Sequence, residues 1–183
     1  MSNSYWIIPA LARAAVRRAV AADPADLDRL KADAALPQYA HGVFVTLKTT
    51  DEELRGCIGR VERSCDDLAD EIVECAVLAA TQDPRFPSVR ATEVDDLRVE
   101  VSLLGEFERV NSVADLDPER FGVLVRAGRK RGLLLPGLAG ISTPEQHLSI
   151  AREKGGISAN EKVEIYRFEV ENYAERNDGE REN

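Results

Sequence analysis

The stretch Leu54-Arg55-Gly56-Cys57-Ile58-Gly59 combines an arginine, a cysteine and two glycines in six consecutive residues. Its apolar and polar residues alternate, which predicts a β-strand with Arg55, Cys57 and Gly59 on one face. Glycine weakens a strand and usually marks a bulge or a place where another group comes close to the backbone. We therefore expect another group to approach this strand closely on either side of Cys57.

A second strand is predicted directly before this stretch. Residues 43–48 are β-branched and aromatic in character, and the polar residues 49–53 indicate a turn. Two strands joined by so short a link predict an antiparallel hairpin. In the simplest register of that hairpin, Cys57 faces Val45.

The remaining segments predict helices and strands in an order that favours the α+β class. Periodic apolar residues indicate the helices, and Ser64 is expected to cap the one that follows the cysteine strand. The apolar phase slips within residues 162–170, which predicts a bulge in a last strand. We expect a mostly antiparallel sheet flanked by helices. Helices are predicted at 5–22, 27–31, 65–82 and 143–154, and further strands at 97–103, 107–110, 122–127, 133–135 and 162–170.

Length and composition indicate one globular domain with room for a small subdomain. The chain has 183 residues, of which 44% are hydrophobic and 31% charged, as in ordinary globular proteins. Its net charge of -9 disfavours general binding to nucleic acid or to anionic membranes. The compact basic run formed by Arg126 and residues 129–131 is interpreted as a solvated turn.

The cysteines and histidines predict neither a disulfide framework nor a metal site. The chain has three cysteines, none in Cys-x-x-Cys spacing, and two histidines, His41 and His147. Cys65 and Cys75 are interpreted as packing residues in or beside a helix. No apolar run approaches the roughly 20 residues that span a bilayer. Because no signal-peptide pattern is present either, we expect a cytoplasmic protein. No cofactor is predicted.

Cys57 is a candidate nucleophile. Arg55 shares its strand face at about 7 Å, and a nearby cation lowers the pKa of a thiol and raises its reactivity. The usual base would be a histidine, but in the simplest register His41 lies about 13 Å away along the strand, and the sequence does not place His147. The alternative is a half-buried cysteine that only packs between glycines.

A second hypothesis is a binding cleft. Arg55 and Arg85 could clamp a carboxylate or a phosphate, because a guanidinium offers a planar fork of donors. Asp83 could orient Arg85, and Phe86 could present an aromatic face to the ligand. The alternative is that Asp83 and Arg85 pair with each other to shape a loop while Phe86 fills the core.

The same residues resemble the signatures of the AMMECR1 domain family. The LRGCIG stretch is similar to the family's hallmark motif, and other segments resemble its neighbours in the correct order over roughly residues 8–174. Three departures are Arg60, where a small residue is common, Ser88, where a proline is frequent, and the GLA sequence at 137–139. The further matching segments are 42–47 (GVFVTL), 83–87 (DPRFP), 100–104 (EVSLL) and 132–136 (GLLLP).

The resemblance implies an α+β fold with a larger and a smaller subdomain, formed by a single domain at residues 5–174. It also implies a bacterial or archaeal protein, component A of a system with a Memo-like protein and a radical SAM protein. Residues 175–183 are polar or charged and are expected to form a disordered tail.

Three functional hypotheses remain at this stage. The preferred one is an accessory component that binds a small anionic ligand or a partner peptide. Its ligand-binding residues would be Arg55, Gly56, Gly59 and, from the second motif, Asp83, Arg85 and Phe86. The second is a thiol-dependent enzyme with Cys57 as its catalytic nucleophile, and the third is a motif that only locks the structure together. Arg60 is expected to add positive charge beside the cleft.

Overall fold

Two four-stranded sheets organise the chain and confirm the predicted α+β class. The computed structural model describes residues 4–23, 26–34, 36–37 and 39–175. The chain divides into two compact units, a larger one that runs to Leu103 and resumes at Asn172, and a smaller one at Leu104–Glu171. Within the described residues, no helix is long and apolar enough to cross a membrane.

The larger unit is built on the sheet with strand order β2-β1-β3-β8. Helices α1 and α3 pack against each other, and α3 packs on β1 and β2. The inward side chains of these elements form one buried apolar cluster, to which Ile8, Val45 and Ile72 belong. The elements are α1 (Ser4–Ala21), α2 (Leu27–Asp33), β1 (Gly42–Lys48), β2 (Leu54–Arg60), α3 (Leu68–Thr81), β3 (Arg98–Leu104) and β8 (Val170–Ala174).

The smaller unit is built on the sheet with strand order β4-β7-β5-β6. Helix α4 packs on β5 and β6, over an apolar cluster that includes Val123, Leu134 and Ala151. Thr143 caps α4, because its side chain accepts a hydrogen bond from the N–H of Gln146. The elements are β4 (Glu108–Val110), β5 (Gly122–Ala127), β6 (Lys130–Leu134), α4 (Pro144–Lys154) and β7 (Glu164–Phe168).

Two local predictions were wrong. Asp67, not Ser64, caps α3, with its carboxylate accepting a bond from the N–H of Ala69. The single strand predicted at 162–170 is two strands, β7 in one sheet and β8 in the other, separated by Glu169. The slip in apolar phase therefore marks a change of sheet and not a bulge.

The predicted tail lies outside the described residues except for its first residue. Glu175 accepts hydrogen bonds from the Arg13 guanidinium of α1 and, at 3.1 Å, from the N–H of Val99. The same guanidinium donates to the carbonyl of Val94 at 2.6 Å. The charges of Arg13 and Glu175 thus tie α1 and the end of β8 to the start of β3.

Candidate functional site

The hairpin of β1 and β2 places Cys57 opposite Thr46. Lys48 pairs with Leu54 but Leu47 pairs with Gly56, so Arg55 is an extra residue in β2. Such a bulge shifts the register by one residue. The expectation that Cys57 faces Val45 was therefore wrong.

The two glycines of the motif are explained by close packing within the protein. A Cβ atom on Gly56 would lie 2.3 Å from the carbonyl oxygen of Ala79 in α3, and one on Gly59 would lie 2.3 Å from the ring of Phe44. Real Cβ atoms do not approach other atoms so closely. The groups that approach the strand on either side of Cys57 are thus a helix backbone and an aromatic side chain.

The loop at residues 83–87 covers the edge of β2 at Cys57. Asp83 Oδ2 accepts a hydrogen bond from the N–H of Cys57 at 2.8 Å, and Arg85 Nη2 donates one to the carbonyl oxygen of Cys57 at 3.2 Å. Because β2 is an edge strand, these backbone groups would otherwise lack a partner strand. Asp83 and Arg85 take the place of that strand at one residue.

Asp83 and Arg85 also bind each other. The carboxylate accepts from Arg85 Nε at 3.0 Å and from Arg85 Nη2 at 2.7 Å, and from the N–H of Arg85 at 3.1 Å. The hydrogen bonds from Arg85 outweigh burial and, with that from Cys57, hold the pKa of Asp83 well below its usual range. The Asp83 side chain is 2% exposed, whereas that of Arg85 is 53% exposed.

Arg55 is held in place by other parts of the protein. Its Nε and Nη2 donate to the Glu93 carboxylate at 3.1 and 3.3 Å, and its Nη1 donates to the carbonyl oxygen of Pro87 at 2.9 Å. Hydrogen bonds from Arg55 and then from Arg90 lower the pKa of Glu93 to about 2. The Arg55 side chain is only 13% exposed.

The thiol of Cys57 is half-buried and contacts a hydroxyl group. Thr46 Oγ1 donates a hydrogen bond to Cys57 Sγ at 3.3 Å. His41 lies five residues before Thr46, about 16 Å along an extended chain. His147 belongs to α4 in the smaller unit, where it is buried and its Nε2 bonds the carbonyl of Leu135 at 3.1 Å.

Phe86 and Arg60 complete the surroundings of the motifs. The guanidinium of Arg85 lies 5.5 Å from the centre of the half-buried Phe86 ring. Arg60 donates to the carboxylates of Glu71 at 2.9 Å and Glu74 at 2.8 Å. The positive charge that Arg60 was expected to add is therefore matched by two carboxylates.

The structure thus brings together the predicted residues of both motifs, and two partners that sequence reasoning missed. Hydrogen bonds link the backbone of Cys57 to Asp83 and Arg85. Gly56 and Gly59 instead pack closely against α3 and the Phe44 ring. The pairing of Thr46 with Cys57 would have followed from the alternation of β1 if the bulge at Arg55 had been known. Glu93 follows Arg55 by 38 residues, and no local pattern signals their pairing.

The arrangement offers one half-exposed guanidinium beside a half-buried thiol. Two carboxylates, those of Asp83 and Glu93, balance the charges of Arg85 and Arg55. Among the residues that the structure describes, no group of three or more His, Cys, Asp or Glu side chains could hold a metal ion.

Comparison with known proteins agrees with the resemblance seen in the motifs. The AMMECR1 family model matches residues 9–173. A protein of Thermotoga maritima is 50% identical over 133 residues, which are 72% of this chain and 76% of that protein. A protein of Clostridium acetobutylicum is 43% identical over 134 residues, 73% of this chain but 28% of that longer protein. The crystal structure of an uncharacterized protein from Pyrococcus horikoshii matches with a TM-score of 0.76 at 28% identity, covering 96% of this chain and 93% of that one.

Proposed function

Because the chain belongs to the AMMECR1 family, we propose that it is a non-catalytic binding component that works beside other proteins. Its binding surface consists of β2 and the loop at residues 83–87. This surface recognises an anionic group, carried either by a small molecule or by a peptide of a partner protein. The partners proposed are a Memo-like protein and a radical SAM protein.

The observation that carries this proposal is that hydrogen bonds hold Arg85 in place while its guanidinium stays exposed to solvent. Asp83 and the carbonyl of Cys57 hold its Nε and Nη2, while the side chain stays 53% exposed. Its Nη1 has no hydrogen-bond partner among the residues described. A guanidinium fixed on one edge and open on another is a preorganised donor, which costs less entropy on binding than a mobile arginine.

The geometry favours one arginine over the two-arginine clamp considered from the sequence. All three nitrogens of the Arg55 guanidinium donate to protein oxygens, so a ligand would have to displace Glu93 or Pro87 to reach it. Arg55 instead fixes the loop at residues 83–87 against β2. Arg85 is then the residue that contacts the ligand, with Phe86 beneath it.

Anion binding is tested by titrating the full chain with inorganic phosphate and with acetate, followed by NMR of the arginine side chains. We expect Arg85→Gln to reduce the affinity at least about tenfold, which corresponds to ~1.4 kcal/mol. Arg129→Gln removes the same charge from an exposed turn of the smaller unit and should leave the affinity unchanged. Equal affinities of wild type and Arg85→Gln would refute the anion site.

The partnership rests on the family and on one relative. The similar segment makes up 28% of the Clostridium acetobutylicum protein, so in that relative it is joined to other sequence in one polypeptide. Proteins that act together are often fused in one polypeptide. The fusion therefore favours action beside a second protein. The test is to mix the full chain with the Memo-like and radical SAM proteins of the same organism and measure association by calorimetry. No association with either protein, alone or together, would contradict the partnership.

A thiol-dependent enzyme is the second candidate, because Cys57 is half-buried and its sulfur accepts a hydrogen bond from Thr46. A hydrogen bond to the charged form stabilises a thiolate. The test is the alkylation rate of Cys57 against pH, with Cys75 as a buried control whose pKa burial raises to about 12. An apparent pKa well below about 8.5 would favour a catalytic thiol, and no reaction before unfolding would identify a packing residue.

A further inference from the structure

The outer edge of β2 has a second position beside Cys57, and that position is Gly59. The N–H and C=O of Cys57 point away from β1, because they bond Asp83 and Arg85. In an antiparallel pair this direction repeats at every second residue. The N–H and C=O of Gly59, paired with Phe44, therefore also point to the outer edge.

These two backbone groups of Gly59 are free in the part of the chain that the structure describes. Among the described residues, no side chain or loop forms a hydrogen bond with either group, whereas the corresponding groups of Cys57 are both satisfied. Gly59 is half-buried, and backbone groups in such a position are normally paired. An edge strand with one free residue is a place where another chain can add hydrogen bonds.

The order of groups along this edge determines what can bind there. From Cys57 onward it runs as the Cys57 carbonyl, the Gly59 N–H and the Gly59 carbonyl. Arg85 Nη2 donates to the first of these at 3.2 Å, so its guanidinium lies at the end of the edge from which the Gly59 N–H follows. Two donors thus adjoin each other, followed by one acceptor.

The loop at residues 83–87 limits the length of a bound strand. It occupies the edge at Cys57, so a chain that pairs with Gly59 cannot continue past Arg85. A chain that ends at this point avoids the obstruction. Its last residue would offer one N–H donor and a carboxylate, which are the groups that complement the edge.

We propose that this edge binds the C-terminal residue of a partner protein. The N–H of that residue donates to the Gly59 carbonyl, and its carboxylate accepts hydrogen bonds from the Gly59 N–H and from Arg85 Nη1. This inference rests on the proposed binding function and identifies the anionic group as a terminal carboxylate. Recognition through the backbone and the carboxylate depends little on the terminal side chain.

The test uses the full chain and a random heptapeptide library displayed with free C-termini. Peptides that are enriched on the wild type are synthesised with a free carboxylate and with a C-terminal amide. We expect amidation to weaken binding at least about tenfold, because it removes the charge that Arg85 recognises. Arg85→Gln should weaken binding of the free acid to a similar extent, and Arg129→Gln should not.

Hydrogen exchange distinguishes strand addition from simple contact with Arg85. Saturating peptide should slow the exchange of the Gly59 N–H at least about tenfold. Gly59 cannot be replaced by a residue with a Cβ, which would lie 2.3 Å from the Phe44 ring. Glycolic acid at position 59 replaces the N–H with an ester oxygen and adds no Cβ, and this ester should weaken peptide binding.

Each outcome decides one of the two proposals. C-terminal capture on this edge is refuted if no peptide is enriched, if amidated peptides bind equally well, or if the exchange of the Gly59 N–H is unchanged at saturating peptide. The anion site at Arg85 is then judged by its own titration with phosphate and acetate. If those anions fail to bind as well, the proposed function fails together with this inference.

Discussion

At the residue scale, Gly56 is where α3 passes closest to β2. Replacing it with alanine would place a Cβ 2.3 Å from the Ala79 carbonyl oxygen, and that atom belongs to the helix backbone. The helix must then move, so we expect Gly56→Ala to lower the free energy of unfolding by about 2–4 kcal/mol. Urea denaturation followed by circular dichroism measures the change.

Gly128 provides the control for this prediction. It has a φ of 59°, and a Cβ at this position would meet nothing within 4 Å. Asparagine tolerates this backbone region better than other residues with a side chain. Gly128→Asn should therefore change the free energy of unfolding by less than about 1 kcal/mol. A Gly56→Ala variant as stable as the wild type would show that the helix can move away at little cost.

His147 is a second residue with a predicted effect on stability, in this case on how the free energy of unfolding depends on pH. Its Nδ1 is buried without a partner among the described residues, and burial lowers its pKa, against a smaller opposing effect of the Leu135 carbonyl. The unfolded chain therefore binds a proton near the ordinary pKa of about 6.5, while the folded chain resists it. We expect the free energy of unfolding to fall as the pH decreases from about 7 to 5.

The His147→Gln variant tests this assignment, because glutamine keeps an amide donor for the Leu135 carbonyl and does not titrate. Its stability should depend less on pH in that interval, as measured by urea denaturation at several pH values. His41→Gln removes the other histidine and serves as the matched control. The same slope in wild type and His147→Gln would assign the pH dependence to other groups.

At the element scale, Glu71 of α3 organises the loop that connects β2 to this helix. Its buried carboxylate accepts bonds from the N–H groups of Ser64 and Cys65 at 2.7 and 2.8 Å, and from Arg60 at 2.9 Å. Burial would raise the pKa of Glu71, but these hydrogen bonds lower it to about 2. The carboxylate is therefore charged in the folded protein and fully bonded.

We expect Glu71→Gln to lower the free energy of unfolding by about 2–4 kcal/mol at pH 7, since it removes a charged acceptor from buried donors. A carboxyl with a depressed pKa contributes stability above its unfolded pKa of about 4.3 and loses it below. The difference from the wild type should therefore shrink as the pH falls from about 4 to 2. Glu74→Gln is the control, because Glu74 binds the same Arg60 but is 51% exposed, and it should change stability by less than about 1 kcal/mol.

The elements themselves were largely predictable, because each has its own periodic pattern and its own boundary residues. The strand at Gly42–Lys48 and the helix at Pro144–Lys154 lie within one residue of the prediction. Apart from the cap of α3, the errors occurred where a neighbouring strand or sheet determines the structure. The bulge at Arg55 depends on the partner strand, and the division into β7 and β8 depends on two different sheets.

The candidate site shows the same limit. The motifs predicted which segments form the candidate site, and Asp83 does bind Arg85, as one of the two alternatives proposed. The sequence could not predict that both side chains bond the backbone of Cys57, because that bond requires β2 to be an edge strand. Nor could it predict that Arg55 forms an ion pair with Glu93, because these residues are distant in sequence and only the fold brings them together.

At the scale of the whole molecule, the negative charge is unevenly distributed. The smaller unit contains ten basic and eleven acidic residues of the 24 and 33 in the chain. The larger unit, which carries the candidate site, therefore holds nearly all of the net charge of -9. A carboxylate that approaches Arg85 meets long-range repulsion before it meets the guanidinium.

This distribution predicts an unusual salt dependence for the proposed C-terminal ligand. Salt screens charges beyond a Debye length of about 30 Å at 0.01 M and about 8 Å at 0.15 M, but affects direct contacts much less. Raising the salt concentration across this range should remove the repulsion and keep the contact with Arg85, so the affinity for a selected free-acid peptide should rise. Calorimetry at the two salt concentrations measures it, with the amidated peptide as the control. A steep loss of affinity with salt would instead indicate that a basic surface attracts the peptide from a distance. The peptide would then bind somewhere other than the acidic surface around Arg85.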